Sequence, residues 1–256
     1  MRVAIVGYGR MGREVEAALA ERDHEAVLLV DPLFADGAGD ATGPARASDL
    51  TAARLSGCDV AIEFSLAAGV LEHAGVYAEA GVPAVIGTTG WLDQLDAVRD
   101  AIGSRTGLVH GSNFSVGAHL FFRVAAYAGR LVAGLEEYDL LIHEMHHRGK
   151  KDSPSGTALT LAERVLEAVP RKARIETARL DRAPEADELH VSSSRGGAIP
   201  GTHTLYLDSA ADTVEVRHQA RTRGGFALGA VRAAEWIRDR TGVFPVETFI
   251  DELLKE

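Results

Sequence analysis

The 256-residue sequence predicts an α/β fold with a doubly wound parallel sheet domain and a smaller α+β domain built on an open mixed sheet. Three observations lead to this prediction. Short segments rich in Val and Ile alternate with helical segments from residue 1 to about 115, which is typical of a parallel sheet covered on both faces. A glycine-rich turn follows the first of these segments. After Phe114 the pattern changes to alternating strands separated by Gly, Pro and Asp.

The first domain is predicted to span residues 1–115. Its strands are expected at residues 3–6, 27–30, 60–64, 84–86 and 108–110. Its helices are expected between them, at residues 14–21, 67–80 and 92–102. These segments have the lengths and compositions that separate short buried strands from longer amphipathic helices.

The second domain is predicted to span residues 116–225. Its helices are expected at residues 116–129 and 157–169, and its strands at residues 138–147, 189–194, 204–207 and 213–218. The charged segment 171–188 contains Pro184 and is expected to be an exposed connection. Two closing helices, at residues 226–240 and 246–254, are expected to pack back onto the first domain.

Composition excludes several classes of protein. The formal net charge of -10 disfavours nucleic acid as a partner, because an acidic chain repels the phosphate backbone. Cys58 is the single cysteine, so an intrachain disulfide and a cysteine-based zinc cluster are both excluded. The apolar run at the start is too short for a signal peptide or a membrane span. We therefore expect a cytoplasmic protein without a membrane partner.

The turn Gly7-Tyr8-Gly9-Arg10-Met11-Gly12 matches the pattern G-x-G-x-x-G between a predicted strand and a predicted helix. Gly7 permits a tight turn, Gly9 lets the backbone approach a pyrophosphate, and Gly12 allows close packing of helix on strand. The free N–H groups of the helix start then bind the phosphates. This context predicts a Rossmann-type dinucleotide-binding domain, against the alternative of a glycine-rich turn without a ligand.

Asp31 follows the second predicted strand, nineteen residues after Gly12. An acidic residue at this point accepts hydrogen bonds from the ribose hydroxyls and repels a 2′-phosphate, which predicts NADH as the preferred cofactor over NADPH. Arg10 is close enough in sequence to moderate that preference. Two further turns, at residues 87–90 and 110–114, follow later strands at the edge where ligands bind, but taken alone each fits a plain loop better than a ligand site.

Residues 143–157 contain the highest concentration of side chains that can take part in catalysis or ligand binding. His143, Glu144 and His147 match the H-E-x-x-H pattern of zinc proteases, which requires a helix. The preceding residues are strand-like, and positions four apart on a strand are ~13 Å from each other. The metalloprotease interpretation is therefore disfavoured, and no metal is expected.

The end of this segment predicts an anion site. Ser153 is expected to be the N-cap and Pro154 the first residue of the following helix. The N–H groups of Ser155, Gly156 and Thr157 would then lie unpaired in the first turn and attract a carboxylate.

His146, His147 and Lys150 stand just before that helix, and a histidine and a lysine beside a carboxylate site suit hydride addition with protonation by a general acid. A solvated basic loop that only caps a helix explains the composition equally well.

These residues resemble the signature of the dihydrodipicolinate reductase family, with motifs in the family's order along nearly the whole chain. The motifs are Gly7-Tyr8-Gly9-Arg10-Met11-Gly12, Gly87-Thr88-Thr89-Gly90, Asn113-Phe114-Ser115-Val116-Gly117, Glu144-Met145-His146-His147-x-x-Lys150-x-Asp152-x-Pro154-Ser155-Gly156-Thr157-Ala158, Arg195-x-Gly197-x-Ile199-Pro200-Gly201-x-His203 and Ala220-x-x-Arg223-x-x-Phe226-Ala227-x-Gly229-Ala230.

The resemblance implies a function and a set of site residues. The implied activity is reduction of 4-hydroxy-tetrahydrodipicolinate to tetrahydrodipicolinate with NADH or NADPH, in the diaminopimelate route of lysine biosynthesis, by a homotetramer joined through the second domain. His146 would be the acid–base residue and Lys150 a proton donor. The cyclic dicarboxylate substrate would be held by His147, Lys150, Gly156 and Thr157. The cofactor would be lined by Gly7, Tyr8, Gly9, Arg10, Met11, Gly12, Asp31, Gly87, Thr88, Thr89, Gly111, Ser112, Asn113 and Phe114.

Two alternatives stay open at this point. One is a different small-molecule dehydrogenase that uses NAD or NADP on the same scaffold, such as one acting on an amino-acid semialdehyde. The other is a regulator that senses the nicotinamide cofactor without turnover. The regulator would not need His146 or Lys150.

Overall fold

A computed structural model describes residues 1–34 and 43–255, and their contacts divide the chain into two compact units. The first comprises Met1–Val116 together with Arg223–Glu256, and the second comprises Gly117–Thr222. The strands are β1 (Arg2–Val6), β2 (Glu25–Val30), β3 (Ala45–Ala47), β4 (Val60–Glu63), β5 (Ala84–Ile86), β6 (Gly107–His110), β7 (Asp139–His146), β8 (Arg174–Glu176), β9 (Glu188–Arg195), β10 (Thr202–Asp208), β11 (Thr213–Gln219) and β12 (Gly242–Pro245). The helices are α1 (Arg10–Ala20), α2 (Val70–Ala80), α3 (Leu95–Ile102), α4 (Val116–Val132), α5 (Gly156–Ala168), α6 (Gly224–Ile237) and α7 (Val246–Leu254).

The first unit is a Rossmann-type sheet of seven strands, in the order β12-β6-β5-β4-β1-β2-β3 and with every pairing parallel. Side chains of β1 alternate between two cores, as they must on a pleated strand. Val3 and Ile5 belong to the core beneath α1, α6 and α7, whereas Ala4 and Val6 belong to the core beneath α2 and α3. The unit is therefore covered on both faces, as the alternating pattern predicts.

The second unit is a mixed sheet in the order β11-β10-β7-β9-β8. Its central strand, β7, pairs antiparallel with β10 and parallel with β9. Alternate residues of β7 are buried, and their side chains are Leu140, Ile142, Glu144 and His146. Leu140 and Ile142 belong to the core formed with α4 and α5. Further along the same face of β7, this core gives way to the polar side chains of Glu144 and His146.

Several predicted elements need correction. The first helix begins at Arg10 and not at residue 14, because the glycine turn leads into it directly. Strands β3 and β12 were missed since each is short and lies at an edge of the sheet. The segment 171–188 is not only an exposed connection, because it contains β8, which pairs with β9. The predicted helix at residues 246–254 matches α7.

Within the described part of the chain, no helix has the length and apolar character needed to cross a membrane.

Candidate functional site

In the first unit, the glycine turn has the geometry that a bound pyrophosphate requires. Gly7 has a φ of +87°, and a Cβ there would lie 2.3 Å from the carbonyl oxygen of Phe64. A Cβ at Gly12 would lie 2.4 Å from the Gly7 carbonyl oxygen, whereas no atom of the described chain lies within 4 Å of a Cβ placed at Gly9. Gly9 is also the N-cap of α1 and has no side-chain cap. The residues present therefore fit a dinucleotide, with open backbone at the start of a helix.

Asp31 lies at the end of β2 and contacts the glycine turn. One carboxylate oxygen accepts a hydrogen bond from the N–H of Tyr8 at 2.9 Å, and the other accepts one from the N–H of Leu33 at 3.0 Å. A carboxylate has about four acceptor positions, so capacity for ribose hydroxyls remains.

Arg46, a cation on β3, the strand next to β2, was not identified from the sequence. The Arg46 guanidinium of β3 lies 5.4 Å from the ring of Phe34, and that ring lies 5.7 Å from the ring of Tyr8. Because the Tyr8 N–H binds Asp31, Arg46 belongs to the surroundings of the predicted ribose site. The prediction missed it because β3 itself was missed.

The other predicted cofactor residues lie at the carboxyl ends of β5 and β6. The N–H of Gly87 donates to the carbonyl of Glu63 at 2.8 Å, and the Thr88 hydroxyl accepts from the N–H of Ser65 at 2.8 Å. Gly111 follows β6 and donates its N–H to Ile86 of β5 at 3.1 Å. Ser112, Asn113 and Phe114 come next in the chain. The Phe114 side chain is buried in the core and therefore packs inside the unit.

In the second unit, a buried polar cluster surrounds His146. The Nδ1 of its ring makes a short hydrogen bond to Oε2 of Glu144, a carboxylate with no solvent exposure. Arg195 binds both oxygens of that carboxylate, at 2.7 Å and 3.0 Å. The N–H of Ser155 donates to the same carboxylate at 3.2 Å. Residues of β7, of the neighbouring strand β9 and of the start of α5 therefore all bind Glu144.

His203 of β10 completes the cluster. Its ring packs edge to face with the ring of His146, with centroids 5.2 Å apart, and its Nε2 lies 3.0 Å from the hydroxyl oxygen of Ser155. A Cβ at Gly201 would lie 2.9 Å from Nε2 of His146. The Nε2 atom of His146 thus points away from Glu144, toward a stretch of backbone without a side chain.

The predicted cap of the following helix is wrong by two residues. Helix α5 begins at Gly156, and its N-cap is Ser155, whose hydroxyl accepts from the N–H of Ala158 at 3.2 Å. Ser153 and Pro154 precede the helix. The predicted anion site is therefore reduced to the N–H groups of Gly156 and Thr157, because the Ser155 N–H already donates to Glu144.

The other predicted substrate ligands flank this cluster. Lys150 Nζ lies 2.9 Å from Oδ1 of Asp152, whose pKa is lowered chiefly by that lysine and also by the N–H of Gly156. His147 directly follows β7, and its N–H donates to the carbonyl of Ile199 at 2.8 Å. Thr157 lies in the first turn of α5 and is partly buried.

Burial and charge set the protonation of the cluster. Burial would raise the pKa of Glu144, but its hydrogen bonds from Arg195 and His146 outweigh burial and lower that pKa to about 2. Burial lowers the pKa of His146, although Glu144 opposes this, and lowers that of His203 to about 3. Glu144 is therefore an anion at neutral pH, whereas both rings are neutral and His146 can accept a proton.

Ligand atoms of Glu144, His146 and His203 lie within 4.8 Å of one another, a spacing that a metal ion could use. The guanidinium of Arg195 lies against both oxygens of Glu144 and would repel a metal cation there. The cluster is better suited to proton transfer beside an anionic ligand than to binding a metal.

A Rossmann-type unit with an open glycine turn, and a second unit with a buried histidine beside a lysine and a helix start, define a nicotinamide-dependent oxidoreductase. Comparison with known proteins gives the particular family. The family model described as "Dihydrodipicolinate reductase, N-terminus" matches residues 1–114, and that described as "Dihydrodipicolinate reductase, C-terminus" matches residues 117–250. The chain belongs to the dihydrodipicolinate reductase family, as its motifs predict.

Individual relatives of this family are similar to the chain in sequence over nearly its full length. The chain is 37% identical over 256 residues to the 4-hydroxy-tetrahydrodipicolinate reductase of Christiangramia forsetii, with 100% of each chain covered. It is 39% identical over 262 residues to that of Chromobacterium violaceum, with 96% of each covered. A solved structure of dipicolinate-bound dihydrodipicolinate reductase from Paenisporosarcina sp. TG-14 has a TM-score of 0.74 and 24% identity, and covers 96% of this chain and 97% of its own. This last match shows the same fold.

Proposed function

We propose that the chain reduces 4-hydroxy-tetrahydrodipicolinate to tetrahydrodipicolinate, with His146 as the residue that handles the proton. The observation that carries the proposal is that His146 binds the buried carboxylate of Glu144 and interacts electrostatically with Lys150, in a chain of this family. A cyclic dicarboxylate suits such a site, and dipicolinate is the ligand of the similar solved structure. Loss of water from the substrate leaves a conjugated imine, which takes up a hydride at one atom and a proton at another.

The residues of the second unit have separate roles in this proposal. Lys150 and the N–H groups at Gly156 and Thr157 bind a substrate carboxylate, and His147 contributes to the same binding. The negative charge of the bound substrate raises the pKa of His146, so that its neutral ring takes up a proton when the substrate arrives. His146 and Lys150 then deliver or stabilise the proton that the reduced ring requires.

The residues of the first unit hold the reductant. The turn from Gly7 through Gly12 binds the pyrophosphate, and Asp31 accepts hydrogen bonds from the ribose. The turns at residues 87–89 and 111–114 lie at the same carboxyl edge of the sheet and complete the binding surface. The dinucleotide, when bound, supplies the hydride. NADH preferred over NADPH is part of the proposal, because the Asp31 carboxylate repels a 2′-phosphate.

A spectrophotometric assay with enzymatically generated substrate tests this function. We expect oxidation of NADH that depends on the substrate and falls at least ~100-fold in His146→Ala and in Lys150→Ala. NADH binding, followed by its fluorescence, should stay unchanged in both variants. Turnover that survives both substitutions would contradict the mechanism.

Two other functions predict different results in the same assay. A regulator that senses cofactor would bind NADH and show no turnover with any substrate. A different dehydrogenase would be inactive with the dipicolinate precursor and active with an amino-acid semialdehyde. The homotetramer implied by the resemblance and the cytoplasmic location expected from the sequence are also proposals, and light scattering of the purified protein tests the first.

A further inference from the structure

Glu144 uses all of its acceptor positions inside the protein. Its Oε1 accepts from Arg195 at 2.7 Å and from the N–H of Ser155 at 3.2 Å. Its Oε2 accepts from Arg195 at 3.0 Å and from the ring of His146. A carboxylate has about four acceptor positions, so these four contacts fill them. A substrate atom therefore has no free position on Glu144, and any effect of this carboxylate on the reaction must pass through its partners.

The sheet fixes the partners of Glu144. Glu144 and His146 are two residues apart on β7, so their side chains leave the same face of the strand. Arg195 is the residue of β9 that pairs with His146 in register. Its guanidinium also donates to the carbonyl oxygens of Asp152, at 2.7 Å, and Ser194, at 2.8 Å. Backbone register on two strands thus fixes the three side chains with respect to one another.

This arrangement selects one tautomer of His146. An ionised carboxylate only accepts hydrogen bonds, so the Nδ1 atom that faces Glu144 must carry a proton. In the neutral ring, Nε2 is then the unprotonated nitrogen. That atom lies on the side of Gly201, away from the carboxylate. The nitrogen available for proton transfer is therefore decided by a residue that cannot touch the substrate.

We infer that Glu144, held by Arg195, is a positioning residue that fixes the orientation and tautomer of His146 for proton transfer at Nε2. The inference rests on the proposed function, since the role of His146 is part of it. A carboxylate behind a catalytic histidine elsewhere acts in the same way, by holding the imidazole and stabilising its protonated form. Arg195 compensates the buried negative charge, which would otherwise be costly without a paired cation.

The same unit contains a matched control. Glu188 of β9 is 2% exposed, and Arg182 binds both of its oxygens at 2.8 Å. Among the described residues, the carboxylate of Glu188 is bound by Arg182, Arg174 and the N–H of Glu185, and by no histidine. Glu188→Gln therefore breaks a buried carboxylate–arginine pair of the same kind without changing the surroundings of His146.

The first measurement is ¹⁵N NMR of the imidazole nitrogens in the substrate-free protein. We expect wild-type His146 to show a single neutral tautomer with the proton on Nδ1. Glu144→Gln should give a mixture of tautomers, since a neutral amide can both donate and accept. Glu188→Gln should leave the wild-type spectrum of His146 unchanged.

The second measurement is the pH dependence of kcat. The charged and titratable groups that face His146 are Glu144 on its own strand, Lys150 after that strand, Arg195 on β9 and His203 on β10. Glu144 is the group among these that raises the pKa of His146. Replacement of Glu144 should therefore shift one limb of the kcat profile, the limb that reflects protonation of His146, toward lower pH. It should also reduce kcat by about 10- to 100-fold and leave the KM for NADH within about twofold.

Some results would overturn the inference. An unchanged tautomer in Glu144→Gln, or an equal loss of kcat in Glu188→Gln, would show that Glu144 only supports the fold. If Glu144→Gln does not fold, Glu144→Asp replaces it with Glu188→Asp as control, and the shorter carboxylate should still lower kcat at least about 10-fold. The tautomer measurement needs no substrate. A wild-type protein that shows the single tautomer but no reductase activity would contradict the proposed function and leave the positioning role standing.

Discussion

Gly201 lies against the Nε2 side of the His146 ring, where a Cβ would come within 2.9 Å of that nitrogen. Gly201 also has a φ of +155°, a backbone conformation that other residues rarely adopt. The missing side chain thus leaves room at the one nitrogen that does not face Glu144. The lack of a side chain at Gly201 therefore keeps Nε2 of His146 accessible, because any side chain would cover the atom proposed to exchange the proton.

Replacement of this glycine should therefore damage activity more than stability. We expect Gly201→Ala to lower kcat at least about 10-fold, because the methyl group displaces the ring of His146 or blocks Nε2. Gly197→Ala is the matched control, since Gly197 also has a positive φ, of +53°, and no atom of the described chain lies within 4 Å of a Cβ placed there. Steady-state kinetics with NADH gives kcat, and urea unfolding gives stability. Wild-type kcat in Gly201→Ala would show that Nε2 is not the reacting atom.

Asp152 occupies donors that the proposal assigns to a substrate carboxylate. Its carboxylate contacts Lys150 at 2.9 Å and also interacts with the N–H of Gly156. Asp152→Asn keeps the shape and removes the charge, so the lysine is released for the substrate. We expect dipicolinate to bind about 3- to 10-fold more tightly to this variant, measured by calorimetry at pH 7.

Asp187→Asn is the control for that measurement, because it neutralises an exposed carboxylate of the same unit that contacts Arg174 at 3.1 Å. Weaker dipicolinate binding to Asp152→Asn would mean that Asp152 orients Lys150 and does not compete with the ligand.

Cofactor choice should depend on two opposing charges. In the proposed ribose site, Asp31 would repel a 2′-phosphate, whereas Arg46 on the adjacent strand would attract one. We expect Arg46→Ala to raise the KM for NADPH by about 10-fold and to leave the KM for NADH within about twofold. Arg2→Ala, at the start of β1, is the control because it removes a cation from the amino end of the sheet. Equal effects on both cofactors would exclude Arg46 from the ribose site.

Stability should fall in mildly acidic solution because of His203. Burial lowers its pKa from the usual value near 6.5 to about 3. Between these two values the unfolded chain binds a proton that the folded protein does not, so the free energy of unfolding decreases as pH falls. The contribution of this one group is up to about 1.4 kcal/mol per pH unit. Loss of Glu144 interactions begins only at lower pH, since its pKa is lowered from 4.5 to about 2.

Urea unfolding at pH 7.0 and 5.5 checks this expectation in wild type and in His203→Gln. The difference between the two pH values should be about 1 to 2 kcal/mol smaller in the variant. His190→Gln, on β9 of the same unit, should keep the wild-type difference. An unchanged difference in His203→Gln would show that this ring is not kept neutral by the fold.

Local patterns in the sequence determined the family, the dinucleotide-binding unit and the region of the second site. The glycine turn, Asp31 and the segment around His146 are each short in sequence, and their chemistry follows from residues that stand side by side. Helix α7 was also predicted at its observed limits, because its apolar periodicity is complete within nine residues.

Only the tertiary structure decided which residues surround His146. Arg195 and His203 lie in a motif shared with the family, yet nothing in their local sequence places them beside Glu144. They arrive there because β9 and β10 pair with β7 in a fixed register, across about fifty residues of chain. Arg46 similarly becomes a neighbour of the predicted ribose site through the pairing of β2 with β3. Local periodicity reports which face of a strand is buried, whereas strand pairing decides which partner that face meets.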